Sequence, residues 1–413
     1  MNRRDFSKLL ALLAVSSNQG FANTSKKDKI IIIGAGIVGS SIAYHLTKMG
    51  AEVTVIERDR PAAHASGRNF GWLHASYPTK PYNFHHLLGM SLLTYKKLET
   101  EIGIDIHWGG SFEWHASKES QKILKQEIEI QQGYGVPIHM ISGDQAHKLE
   151  PNVKFDKEAN MAFSESDGAV DSNEVVNKLL KKTINLGGQV LYPVTYKNVI
   201  VKEGQIVAVR TSIGEIETNQ VVFACGVDTD ELLNIDVLKK SEPEIILRTQ
   251  PMKKIIDRVL VMPNFHIHQQ HDGTVIIGAT NTLEGTAVGS LPGAPESHLE
   301  RLTLMPESFP DAILEKQHAD RILSIAQQFV PQLKAVKLEE VVIGWIPSTH
   351  NGGPVVGHLK NIPGTYLATT NSGVTLAPII GELVAMELLD GTETNLLADF
   401  RPEVSFKKII SNT

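Results

Sequence analysis

The apolar run Lys29-Ile30-Ile31-Ile32-Ile33 passes directly into Gly34-Ala35-Gly36-Ile37-Val38-Gly39. Continuous branched apolar residues are the pattern of a strand buried on both faces. Ser40 to Met49 then carries Ile42, Ala43 and Leu46 at helical spacing, and Gly50 stops the helix. Glu52-Val53-Thr54-Val55-Ile56-Glu57 reads as a second strand ending in an acid. In such a unit Gly34 permits the tight turn and Gly36 lets a pyrophosphate approach the backbone. Gly39 lets the helix pack close to the strand, and the helix N-terminus faces the phosphates. Glu57 accepts hydrogen bonds from ribose hydroxyls and repels a 2′-phosphate. The unit predicts a dinucleotide site and leaves open whether FAD or NAD fills it.

The remaining composition narrows the function classes. A chain of 413 residues suggests two or three domains, at about 100–200 residues each. With 42% hydrophobic and 21% charged residues it is neither disordered nor collagen-like. A net charge of −6 leaves no basic excess for nucleic acid. No apolar run reaches the ~18–20 residues of a membrane span. The single cysteine, Cys225, excludes an intrachain disulfide and a Cys-rich metal site. The 16 histidines show no metal-ligand spacing, so no metal is expected.

Residues 1–22 read as an address. Met1-Asn2-Arg3-Arg4-Asp5-Phe6 precedes a weakly apolar stretch from Leu9 to Val15 and a small-residue segment ending at Ala22. This is the order of an export signal, and the paired arginines resemble the twin-arginine type. The expected location is the periplasm, at most peripheral to the inner membrane.

Further segments resemble the FAD-dependent oxidoreductase family of D-amino-acid oxidase, glycine oxidase and sarcosine oxidase. They are Ala65-Ser66-Gly67-Arg68-Asn69-Phe70-Gly71, Gly187 to Thr211, Val221 to Gly226, Gly352 to Gly357, and Asn371 to Pro378, which opens a helix to about Leu389. The resemblance implies noncovalent FAD. The family's covalent attachment points fall near Gly344-Trp345 and Arg68, where no suitable cysteine or histidine stands. The implied cofactor residues are Gly34, Gly36, Gly39, Glu57, Arg58, Ser66, Arg68, Asn69, Gly71, Tyr196, Gly226, Gly353, Ser372, Gly373, Val374 and Thr375. A helix opening at Gly373 would offer N–H donors to a reduced flavin, with Pro378 early enough to be tolerated.

The implied fold is α/β: a Rossmann-like, glutathione-reductase-like FAD-binding domain (27–88, 150–228 and 340–413) interleaved with an α+β substrate domain on an antiparallel sheet (89–149 and 229–339). The implied reaction is oxidation of a C–N bond in a small amino acid or secondary amine, by hydride transfer to the flavin. The arginine that glycine oxidases use for the substrate carboxylate corresponds to Ile346. Replacement candidates are Arg248, His266 and His268, with His74, Tyr77 and Trp345 as pocket walls. The strand Thr274-Val275-Ile276-Ile277-Gly278 lacks the lysine that assists oxygen in sarcosine oxidases. This favours a dehydrogenase passing electrons to a quinone or another acceptor. The alternatives are a 2-hydroxy-acid dehydrogenase with His268 as base, and a flavin-binding subunit with a degenerate substrate site.

Overall fold

The computed structural model describes residues 28–76, 81–239, 243–279, 305, 307–309, 311–360 and 363–404. The export-signal residues, Tyr77 and the Gly/Pro-rich stretch 282–295 lie outside these. No helix among the described residues is long and apolar enough to cross a membrane.

The isoleucine run forms the strand Lys29–Ile33, near the middle of a six-stranded sheet. It pairs in parallel with Glu52–Ile56 on one side and Gln220–Phe223 on the other. Gln189–Leu191 and Thr365–Thr369 extend the parallel array, and Val355–His358 closes it antiparallel. Alternation along the strand explains why every isoleucine is apolar. Ile30 and Ile32 enter one core, and Ile31 and Ile33 the opposite one. The first core is covered by helices α1 (Ile37–Lys48), α2 (Tyr82–Ile102), α4 (Ser172–Asn185) and α6 (Gly373–Asp390). The other face meets a three-stranded antiparallel sheet spanning Tyr196–Glu217.

A second, eight-stranded sheet supports its own core, covered by α5 (Ala312–Phe329). Helix α3 (Lys118–Gly133) packs at its edge through Leu124 and Ile128. This sheet is mixed rather than purely antiparallel, because Val259–Met262 runs parallel to Ser111–Glu113. The segment limits differ from those drawn from sequence. Asn160–Ser164 pairs with Ser111–Glu113 and Ile138–Ser142. Leu338–Trp345 is an edge strand beside Pro243–Thr249. Helix α2 continues past residue 88 and buries Leu92, Tyr95 and Leu98 in the core of the parallel sheet. Helix α5 starts at Ala312, where Asp311 caps it through the Ile313 and Leu314 amides.

Helix α6 has an unusual interior. Pro378 is its sixth residue, beyond the first turn, where it removes the donor that would bond the Val374 carbonyl. The Tyr95 hydroxyl donates to that carbonyl at 2.6 Å. The neighbouring Ser91 hydroxyl donates to the Thr375 carbonyl. Proline is tolerated here because α2 supplies the missing donor.

Candidate active site

A cleft opens at the carboxyl ends of the parallel strands, where ligands bind in open α/β sheets. Gly34 takes a φ of +107°, and a Cβ there would meet the Ala224 carbonyl oxygen at 2.4 Å. A Cβ on Gly39 would fall 2.1 Å from the Gly34 oxygen. These contacts fix the turn and seat α1 on the strand. Helix α1 begins after Gly36 with no side-chain cap and no acid in its first turn. The Ile37 amide donates to Ser66 Oγ at 2.9 Å. Glu57 is buried, and its two oxygens accept from the Ala35 and Asp59 amides, each at 2.9 Å.

A second helix N-terminus meets the cleft. Helix α6 also starts with no side-chain cap and no first-turn acid, and Gly373 and Val374 line the cleft. Beside it Thr369 Oγ1, Thr370 Oγ1 and Asn371 Oδ1 are buried without hydrogen-bond partners. Two uncapped helix starts and a set of unsatisfied polar atoms call for an extended ligand rich in acceptors and anionic oxygens.

The loop between strand and cleft is heavily bonded. Asn69 Nδ2 donates to the Ala65 and Ser66 carbonyls, while its Oδ1 accepts from Ser172. Arg68 donates to the Ala63 carbonyl at 2.9 Å and pairs with the Glu307 carboxylate at 2.9 Å. His64 bridges Asp59 and Glu307. Its hydrogen bond to Glu307 raises the His64 pKa against burial. Arg58 pairs with Asp228 at 3.0 Å and Asp59 at 3.1 Å. Tyr196 packs edge-on against Phe223, and burial pushes its phenol up to about 12. Cys225 donates to the Ile33 carbonyl, and burial holds its thiol well above the ordinary range. That makes it an inert packing group.

Residues 29–386 match the family described as FAD dependent oxidoreductase. The chain belongs to that family. It is 27% identical over 401 residues to the glycine oxidase of Bacillus licheniformis, covering 92% of this chain and 98% of the relative. It is 26% identical over 394 residues to the bifunctional protein ThiO/ThiG of Nostoc sp., where it spans 92% of its own length but only 55% of the relative. The chain thus covers about half of that longer protein. Among solved structures, L-proline dehydrogenase from P. horikoshii superimposes with a TM-score of 0.77, at 23% identity, over 92% of this chain and 98% of the other. This FAD-dependent oxidoreductase is a flavoprotein, and the donor set described above fits FAD. Glu57 suits a ribose, the α1 N-terminus the pyrophosphate and the α6 N-terminus an electron-rich ring edge.

Of the residues expected to hold the cofactor, Gly34, Gly36, Glu57, Arg58, Ser66, Arg68, Asn69, Tyr196, Gly226, Gly373 and Val374 line the cleft. The others sit behind it. Gly39 is a helix-packing contact. Gly71 takes a φ of +83° against the Val170 carbonyl, and Gly353 lies on Phe400 and Phe84. Ser372 is the α6 N-cap residue. Thr375 is turned inward, donating to the Trp72 carbonyl and accepting from the His74 amide.

The three candidate substrate residues are not among those lining the cleft. Arg248 donates to the Gly67 carbonyl at 3.0 Å and lies 3.4 Å from Glu340, so it braces the cofactor loop from outside. His268 is buried, bonds the Phe70 carbonyl at 2.7 Å and faces a smaller second cavity. Burial lowers its pKa to about 3, which is unsuited to a general base. His266 stands one layer back. Its Nε2 lies 2.7 Å from Glu244 Oε1, an ion-pair distance off the line of a straight hydrogen bond. Glu244, Trp345 and Ile346 line the cleft themselves.

Sequence reasoning missed Asp59, His64, Asp228, Glu244 and Glu307. Asp59 and His64 stood close to recognised motifs. Glu307 is 243 positions from His64, and nothing local marks it.

Proposed function

We propose that this flavoprotein oxidises a C–N bond in a small amine or amino acid. The observation that supports this most is the near full-length match to a glycine oxidase, 27% identical and covering 98% of it. FAD, when bound, supplies the hydride acceptor. The chain's own task is to hold the cofactor, align the substrate and exclude water. The α1 and α6 N-termini, neither with a side-chain N-cap bond, turn their positive ends to cofactor oxygens. Trp345, Ile346 and Pro347 form an apolar wall beside the cofactor loop. The bracing network of Arg68, His64 and Glu307 holds that loop closed.

We further propose noncovalent FAD and an electron acceptor other than oxygen, with export to the periplasm. The support is the absence of an attachment residue near the cleft's substrate wall, the lysine-free strand Val275–Ala279, and the Arg3-Arg4 segment. The burial of His268 away from the cleft counts against the 2-hydroxy-acid reading.

The test is an anaerobic visible spectrum of the purified protein before and after adding glycine, sarcosine, proline, D-alanine or lactate. Bleaching by an amine supports the reading. Bleaching by lactate alone, or by nothing in the panel, overturns it. Denaturation that releases the yellow chromophore, oxygen uptake against dye reduction, and periplasmic fractionation test the finer proposals.

A further inference from the structure

We propose that Glu244 recognises the nitrogen of the substrate, with His266 as its positioning residue. The inference rests on the amine reading above and names the group that makes the choice. An amino-acid site is expected to offer a free cation to the carboxylate. Among the described residues the cleft is lined by three side chains able to carry positive charge, Arg58, His64 and Arg68. Each is already matched. Arg58 faces Asp59 and Asp228, His64 faces Asp59 and Glu307, and Arg68 faces Glu307.

The eight-stranded sheet contributes a different group. Glu244 lies directly opposite Gly344 in the antiparallel pair, beside the wall formed by Trp345, Ile346 and Pro347. Gly344 in turn touches the Arg68 carbonyl, since a Cβ there would fall 1.9 Å from it. Glu244 therefore stands next to the cofactor loop, beside an apolar wall where a carboxylate attracts ammonium and repels a second carboxylate. Its amides are committed to strand pairing, so its side chain is the part left for recognition.

The carboxylate is held from behind. The His266 ring packs at a tilt against Phe70, with centroids 4.0 Å apart, and reaches Glu244 Oε1. Gly278 makes the space, because a Cβ there would lie 1.8 Å from His266 Nε2. Contact at Oε1 leaves Oε2 to accept an N–H hydrogen bond from the substrate. A 2-hydroxy acid has no such donor cation and brings a like charge.

The test compares full-length holoprotein with Glu244→Gln and Glu244→Asp, using whichever amine of the panel reduces the flavin. FAD per chain reports folding. The amine concentration giving half the limiting reduction rate should rise about 10- to 100-fold in Glu244→Gln, the loss of one charge-assisted hydrogen bond. The limiting rate at saturation should change less than about threefold. Glycolate should inhibit Glu244→Gln more tightly than the parent, which a merely structural role would not produce. Glu244→Asp should recover part of the amine affinity, and it carries the comparison if Glu244→Gln retains no FAD. Unchanged half-saturation with unchanged glycolate inhibition would overturn the proposal. A parent reduced by no amine would fail at the earlier step, with the amine reading itself.

Discussion

Replacing Tyr95 by phenylalanine tests how the cofactor-facing helix is held. The Tyr95 hydroxyl donates to the Val374 carbonyl at 2.6 Å, and Tyr95 has 0% exposure. In an ordinary helix the amide of residue 378 would serve that carbonyl, but residue 378 is proline. Removing the hydroxyl leaves a buried acceptor with no donor, which costs about 1–3 kcal/mol rather than the ~1 kcal/mol of an exchangeable bond. Chemical denaturation followed by far-UV circular dichroism measures the loss. The decisive comparison places Tyr95→Phe in a Pro378→Ala background, where the alanine amide can bond Val374. There the cost of Tyr95→Phe should fall by at least about 1 kcal/mol, a coupling read from the double-mutant cycle. An equal cost in both backgrounds would refute the idea that Tyr95 compensates for the proline.

Three other outcomes are expected. Gly39→Ala pushes a methyl to within 2.1 Å of the Gly34 oxygen. Overpacking there costs about 1–3 kcal/mol and should weaken FAD retention about 10- to 100-fold, measured by flavin fluorescence on dilution. Arg401→Leu strands Glu387, whose side chain is 1% exposed and pairs with Arg401 at 2.6 Å. A loss of about 3–5 kcal/mol is expected at neutral pH. Burial opposes ionisation of Glu387, but Arg401 and Tyr366 hold its carboxyl below 4.5. The pair's contribution is therefore present above about pH 4.5 and disappears as pH falls through the lowered value. His268 acts in the same direction in a higher pH window, since burial lowers it from 6.5 to about 3. The unfolded chain takes up the proton first, so stability falls as pH drops below 6.5, by about 1.4 kcal/mol per unit. His268→Gln should flatten that slope between pH 6.5 and 5, and an unchanged slope would assign it to other groups.

The legible parts of this molecule were those whose cause is local. Ile30 to Gly39 encodes strand, turn and helix start within one stretch, and Val221 to Gly226 a strand with the turn after it. The α6 start was visible at Ser372-Gly373 because backbone amides need no particular side chain. Thr375 turns away from the cleft, because its hydroxyl is claimed by the Trp72 carbonyl and the His74 amide, partners about 300 positions away. Arg248, His266 and His268 were singled out for residue type. Their orientation depends on strand alternation and on Phe70 and Gly67, distant partners that a sequence pattern does not reveal. Glu244 and Glu307 acquire meaning only from contacts hundreds of positions apart or across two strands.

The cleft draws on residues 33–38, 56–69, 194–196, 224–232, 244, 344–347 and 368–374. During synthesis the phosphate-facing half at α1 emerges early, whereas the α6 start that completes the other half emerges near the end. Tyr95 waits even longer for its task, since Val374 and Pro378 must arrive before its hydroxyl has a partner. The lining of the cleft is complete only once the α6 start has emerged. A chain stalled before about residue 374 holds only part of the cleft lining and lacks α6, one of the helices that cover the parallel sheet.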